Sequence, residues 1–117
     1  MTLREALENA REALNAVVPT YIRDAIPVRD GKVILPERCI ILDLVVDSKQ
    51  YDFTDVISTV RLQVGCWSPS IATCLDDLVT AAAILEGTDP SWELRQVNPT
   101  QTDNGYRGVT ADFSGLY

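Results

Sequence analysis

Seventeen Asp and Glu residues, three Cys and no His set the chemistry this sequence can offer. Without His, an imidazole-containing zinc site and a Ser-His-Asp triad are both excluded. Carboxylates remain, and a converging pair can bind a divalent cation or share a proton. Asp43 and Asp47 stand at i and i+4 of an alternating segment, on one strand face but roughly 13 Å apart. Asp76 and Asp77 are neighbours in a helical segment and diverge by about 100°. Asp52 and Asp55 fall near a hairpin tip. None of these spacings converges on one ion, and a solvated face accounts for them, with Asp76, Asp77 and Thr80 expected to face water. Gly105-Tyr106-Arg107-Gly108 sits inside a hairpin rather than between a strand and a helix, so it is no phosphate loop. Cys39, Cys66 and Cys74 lack C-x-x-C spacing and fall in or beside apolar stripes, which reads as reduced, buried thiols. Cys66 adjoins a helix start, where a thiolate would be favoured, yet it shares the inward alternation of Val60, Leu62 and Val64. The expectation is a protein without catalysis, metal or cofactor.

The elements that would position a binding surface are clearer. Thr2 and Glu5 make a capping box, and Leu3, Ala6, Leu7, Ala10, Ala13, Leu14 and Val17 line one face of a helix that Pro19 ends. Pro19, Pro27 and Pro36 punctuate the next stretch. Arg29-Asp30-Gly31-Lys32 is a tight turn there, between short extended pieces at Tyr21–Ile26 and Lys32–Leu35. Strands at Arg38–Asp47 and about Val56–Trp67 form an antiparallel hairpin whose tip spans 48–55. A second helix runs from Ser68 or Pro69 to Leu85, with Ile71, Cys74, Leu75, Leu78, Val79, Ala82 and Leu85 as its buried stripe. Trp92–Val97 and Tyr106–Phe113 then close a second hairpin about Asp103-Asn104-Gly105. The predicted fold is α+β: one domain over residues 1–117 in the order α-β-β-α-β-β. It has an antiparallel sheet of about four strands with both helices on one face.

Surface features point to binding. Val60, Leu62, Val64 and Cys66 alternate with Arg61, Gln63, Gly65 and Trp67, so an Arg, a Gln and a Trp share the outward face of a strand. Tyr51, Phe53, Trp67 and Tyr106 are interface anchors if exposed, and edge covers of their own core if not. Ile41, with Cys39, Val45 and Ile57, leaves a β-branched outward patch to be covered by a partner copy or by residues 19–37. The net charge is −7, which argues against a nucleic-acid-gripping surface or an anionic membrane surface. It suits a wall past which DNA slides, and it equally suits plain solubility. No apolar run is long enough to span a membrane, and residues 1–20 do not read as a secretory signal.

The Arg61-Leu62-Gln63-Val64-Gly65-Cys66-Trp67 strand feeding a long Ala- and Leu-rich helix resembles the tail-completion, or tail-terminator, proteins of long-tailed bacteriophages. The order of elements carries the likeness over most of the chain: Leu3–Val18, Pro19–Pro36, Arg38–Trp67, Ser68–Leu85, then Trp92–Phe113 with Asp112-Phe113 near the end. Gly65 stands where that family often has a charged residue, and an aromatic-proline strand before the first hairpin is missing. The resemblance implies a virion structural protein, assembled in the host bacterial cytoplasm, that closes the tail tube as a homo-oligomeric ring, usually hexameric. Its implied partners are the major tail tube protein and the head–tail connector, with DNA passing through unbound and no membrane involved. It implies subunit or partner contacts through Ile41, Tyr51, Phe53, Arg61, Gln63, Trp67 and Tyr106, and an acidic lumen drawn from Asp47, Asp52, Asp55 and Asp103. Another neck component, such as a head-completion or stopper protein, fits the same order of elements. A small cytosolic adaptor binding a protein along a sheet edge is the alternative from another class.

Overall fold

A computed structural model of the protein describes residues 3–48, 58–89, 91–103 and 105–115. Helix α1 spans Leu3–Asn15 and buries Ala6, Ala10 and Leu14. The helix stops three residues earlier than the apolar spacing suggests. Val17 and Val18 both donate their amides to the Leu14 carbonyl, closing the last turn before Pro19. Asn15 Oδ1 then accepts the Thr20 amide at 3.0 Å, while Thr20 Oγ1 donates to the Val18 carbonyl at 2.8 Å. These bonds reverse the chain into strand β1, Thr20–Ile22. A 3₁₀ turn at Arg23–Ala25 leads to a small hairpin of β2, Val28–Arg29, and β3, Lys32–Val33. Its two-residue turn needs positive φ twice, met by Asp30 at 52° and Gly31 at 76°.

The main sheet follows. Strand β4, Cys39–Ser48, pairs with β5, Ser58–Ser68, over ten antiparallel positions from Cys39↔Trp67 to Ser48↔Ser58. Helix α2, Ile71–Glu86, crosses to β6, Trp92–Val97. Strands β7, Gln101–Asp103, and β8, Tyr106–Gly115, finish the fold. The order across the sheet is β1-β4-β5-β8-β6, with β7 also on β8.

The fold class is α+β as the sequence implies, but the sheet has six strands among the described residues, not four, and it is mixed. Strand β1 adds parallel to β4 through Thr20↔Ile40, Tyr21↔Ile41 and Ile22↔Leu42. Strand β7 is carved from the loop of the closing hairpin. Both additions are three residues long, too short to show a period of two.

Both helices do pack on one face. The core joins Ala6, Ala10 and Leu14 of α1 and Cys74, Leu78, Ala81 and Leu85 of α2 to Ile40, Leu42, Leu62, Val64, Cys66, Val109, Ala111 and Phe113 of the sheet, with Trp92 closing one end. Helix α2 is rotated from the expected stripe. Asp77 is buried, whereas Leu75 and Val79 are 45% and 73% exposed. It also starts later than expected, because β5 continues through Ser68. Ser68 Oγ accepts the Ser70 amide at 3.0 Å, and Ser70 occupies the cap position, so Pro69 precedes the helix.

Candidate functional site

The outward face of the sheet is built from the odd-numbered positions of β4 and β5 and the even-numbered ones of β8, fixed by the register Cys39↔Trp67↔Gly108, Ile41↔Gly65↔Thr110 and Asp43↔Gln63↔Asp112. It divides into two halves. The first centres on Trp67, whose indole lies across two glycines. A Cβ at Gly108 would come within 2.5 Å of the Trp67 ring carbons, and one at Gly65 within 2.9 Å of its Nε1. That indole N–H is buried with no acceptor among the described residues. Trp67 is half-buried, and Cys39 in its row and Ile41 in the next are buried at 0% and 8% exposure.

That burial corrects one expectation. Ile41 is not a bare interface residue, because the chain covers its own outward patch. Tyr21 stands beside Ile41 in register, and the segment after β1 is tied to this face at both ends. Arg23 Nε contacts Asp43 Oδ2 at 3.2 Å, and the Tyr106 hydroxyl donates to the Pro36 carbonyl at 3.1 Å. Cys39 and Ile41 of the outward patch are therefore covered within the chain, next to residues 19–37, while Val45 stays half-buried and Ile57 lies outside the described residues.

The second half of the face is polar and more open. Gln63 lies between Asp43 and Asp112, Arg61 Nη1 approaches Asp112 Oδ2 at 3.8 Å, and Arg95 donates to Ser114 Oγ at 2.6 Å while contacting Glu93 at 3.4 Å. Arg61 and Gln63 are thus brought together, on the part of the face that the covering segment leaves. Tyr106 is half-buried and bonded to the cover. Tyr51, Phe53, Asp52 and Asp55 lie outside the described residues. Asp47 and Asp103 are placed by backbone only. Asp47 pairs with Thr59 and Asp103 with Tyr106, which puts them at opposite ends of the sheet.

At the Trp67 end, Arg38 and Asp77 form a bidentate pair that the sequence does not reveal. Arg38 Nε donates to both carboxylate oxygens of Asp77, at 3.0 and 2.8 Å, and Nη2 also reaches Oδ1. Asp77 is nine-tenths or more buried while Arg38 is about half exposed, so the pair clamps the start of β4 to α2. Hydrogen bonding to Asp77 raises the Arg38 pKa above its already high ordinary value.

Cys66 and Cys74 lie in the core on the helix side and Cys39 on the outward face, and all three thiols are free and buried. Burial pushes Cys66 up to about 12 and Cys39 up to about 11, and the carboxylate of Asp77 adds to the effect at Cys66. Cys74 Sγ donates to the Arg107 carbonyl at 3.1 Å. These are structural cysteines. Among the described residues no three His, Cys, Asp or Glu side chains are grouped to hold a metal ion, and no helix is long and apolar enough to cross a membrane.

A second surface lies on the helix side, at the β6 edge, and the sequence reading missed it. Helix α2 does not reach over the outer part of β6, so Leu94 and Val97 remain 42% and 50% exposed. Between Leu94 and α2 runs a groove lined by Ala82, Ala83, Glu86, Ser91, Trp92, Glu93 and Leu94. Val79 and Leu75 continue its helix wall. The rotation of α2 creates this wall, and the only signal in the sequence is an apolar stripe wider than one buried face requires.

No protein-family model matches this sequence, and no curated protein does. Its fold is matched among solved structures. A chain from the virion of the native gene transfer agent particle aligns with a TM-score of 0.66 at 15% sequence identity, over 97% of this chain and 92% of that one. At that identity the likeness is one of fold.

Proposed function

We propose that this chain is a structural protein of a phage-like virion that closes the tail tube as a ring and docks it to the head–tail connector. The observation that carries the reading is the fold shared, nearly end to end in both chains, with a chain of the gene transfer agent virion. The Arg61–Trp67 strand and the order of elements supply the narrower tail-terminator assignment, with six copies as the expected ring. A cyclic ring needs one patch that fits a different patch on the next copy. The molecule offers such unlike surfaces: a polar outward half-face around Arg61 and Gln63, and an apolar groove on the helix side. A net charge of −7 suits a wall that DNA passes without sticking. Another ring of the neck, of head-completion or stopper type, would use the same fold and surfaces. An adaptor that captures a strand along β6 is less well served, because the β6–β8 register shifts between Leu94 and Gln96 and breaks the edge.

Native mass across a concentration series tests the reading. A closed hexamer, or monomer and hexamer without intermediates, is the expected result. A stable two-fold dimer overturns it, as does a monomer that also fails to bind assembled tubes of the major tail protein.

A further inference from the structure

The β2–β3 hairpin and the α2–β6 groove lie at opposite sides of the molecule and are complementary in kind. The hairpin follows β1, at one edge of the sheet, and the groove sits beneath β6, at the other. Pro27 accepts the Ile34 amide at 2.9 Å, extending the hairpin ladder into a short stiff arm. That arm holds Val28 at 62% and Ile34 at 44% exposure, with Arg29 and Lys32 exposed beside them. Exposed apolar residues flanked by two bases have no role in the core of a monomer.

The groove presents the counterpart. Ala82, Ala83 and Leu94 line it, and the exposed Val79 lies one helical turn before Ala83 on α2. From Ile71 to Leu94 the chain carries Asp76, Asp77, Glu86, Asp89 and Glu93 and no Lys or Arg. Of these acids Glu86 and Glu93 line the groove, and Glu93 contacts Arg95 at 3.4 Å, so Glu86 is the groove acid placed to meet an incoming base. A copy cannot fill its own groove. The segment carrying the arm is tied to Asp43 and Tyr106 on the outward face, and the groove opens on the helix face.

We propose that the β2–β3 arm of one copy seats in the α2–β6 groove of the next. The register Val28↔Val33 and Arg29↔Lys32 puts Val28 on one face of the arm and Ile34 with the two bases on the other. Val28 then lies against Ala83 on the helix wall, Ile34 lies against Leu94 on the strand wall, and the long side chains of Arg29 and Lys32 reach Glu86. Arm and groove lie at opposite edges of the sheet, so two copies cannot make both contacts at once, and repeating the contact gives a ring or an open chain rather than a reciprocal two-fold dimer. The inference rests on the ring-forming reading above, and names the surface that would make the ring.

Cross-linking tests it in the full-length protein, where the three natural thiols are buried. Val28→Cys and Ala83→Cys variants are mixed and oxidised with diamide, which takes up the two hydrogens as each disulfide forms. The expected product is a disulfide between one copy of each variant, with neither variant cross-linking alone. The double variant should give a ladder that stops at the ring size. Native mass on the same samples separates the two claims. A ring with no disulfide overturns the arm-in-groove contact and leaves the ring reading standing. No ring and no disulfide overturns both. Cross-linking by Ala83→Cys alone means the groove pairs with itself, and also overturns the contact. As an independent check, reversing Arg29 and Lys32 to Glu should weaken assembly by about tenfold or more, and adding Glu86→Lys should restore it. Loss without restoration overturns the charge pairing.

Discussion

Arg38 and Asp77 show how far a single residue can depart from its expected place. Asp77 falls three residues after Cys74 and four before Ala81, so helical geometry alone puts it on the buried stripe. Its charge argues for solvent, and only a partner thirty-nine residues away in sequence reconciles the two. No local pattern encodes that partner. The thiols, by contrast, are legible, since each sits among apolar neighbours and each is buried. Their burial has a pH signature. Below the ordinary thiol value of 9.0 Cys39 and Cys66 are neutral in both the folded and the unfolded chain. Above it the unfolded chain ionises first, because Cys39 and Cys66 hold their protons to about 11 and about 12 when folded. The unfolded state then binds fewer protons, so stability falls with rising pH. The contribution is whole below 9 and is lost as the pH climbs through 11 and 12. Urea midpoints should therefore stay level near neutral pH and drop above 9. A colorimetric thiol reagent at about pH 8 should label none of the three cysteines until the protein unfolds. One thiol that reacts fast in the native protein would contradict this account of the thiols.

At the scale of elements, the sheet is the part most sensitive to its glycines. Gly65 and Gly108 are the seat of the Trp67 indole, two residues away on its own strand and directly opposite on the next. An aromatic laid over strand glycines restores the packing that glycine forfeits. Gly108→Ala puts a methyl within 2.5 Å of the rigid, half-buried indole ring, and should destabilise by about 2 kcal/mol. In a Trp67→Leu background most of that penalty should vanish. The two substitutions share one contact, and such neighbours are non-additive. Chemical denaturation of the two singles and the double decides it, and strict additivity would mean the indole does not use this seat. The strong strands, both helices and both long hairpins were readable because each repeats its period several times. Strand β1 was legible only as part of an extended piece at Tyr21–Ile26, of which residues 23–25 form a 3₁₀ turn, and β7 not at all, because three residues cannot display a period. The rotation of α2 was missed for another reason. Its apolar positions run almost all round, so periodicity fixes that a helix is present without fixing which face is buried. The site followed the same division. Arg61, Gln63 and Trp67 were read from a long alternating strand. The arm and the groove appear only once the sheet order is known.

For the whole molecule, charge is the property that function would use most directly. The sequence holds ten Lys and Arg against seventeen Asp and Glu. Five of the ten bases, Arg11, Arg23, Arg38, Arg61 and Arg95, are each paired with a carboxylate within the chain. Binding a duplex requires several Lys or Arg clustered to displace counterions from successive phosphates, and its strength falls steeply with salt. A chain that is acidic overall and sets five of its bases beside its own carboxylates is poorly suited to supply that cluster. Assembly into a ring would multiply the net negative charge without creating a basic stripe, if the arm spends Arg29 and Lys32 on a neighbour's groove. The protein should accordingly leave the mobility of a labelled duplex unchanged even at low salt, on the order of 50 mM, where phosphate contacts are strongest. The assay belongs on the assembled species, checked by native mass in the same buffer. A retarded band that disappears as salt is raised would reveal a basic surface created by assembly, and a passive channel for DNA would then be the wrong description. An unchanged band in the assembled protein would leave the acidic wall as the property that lets DNA pass.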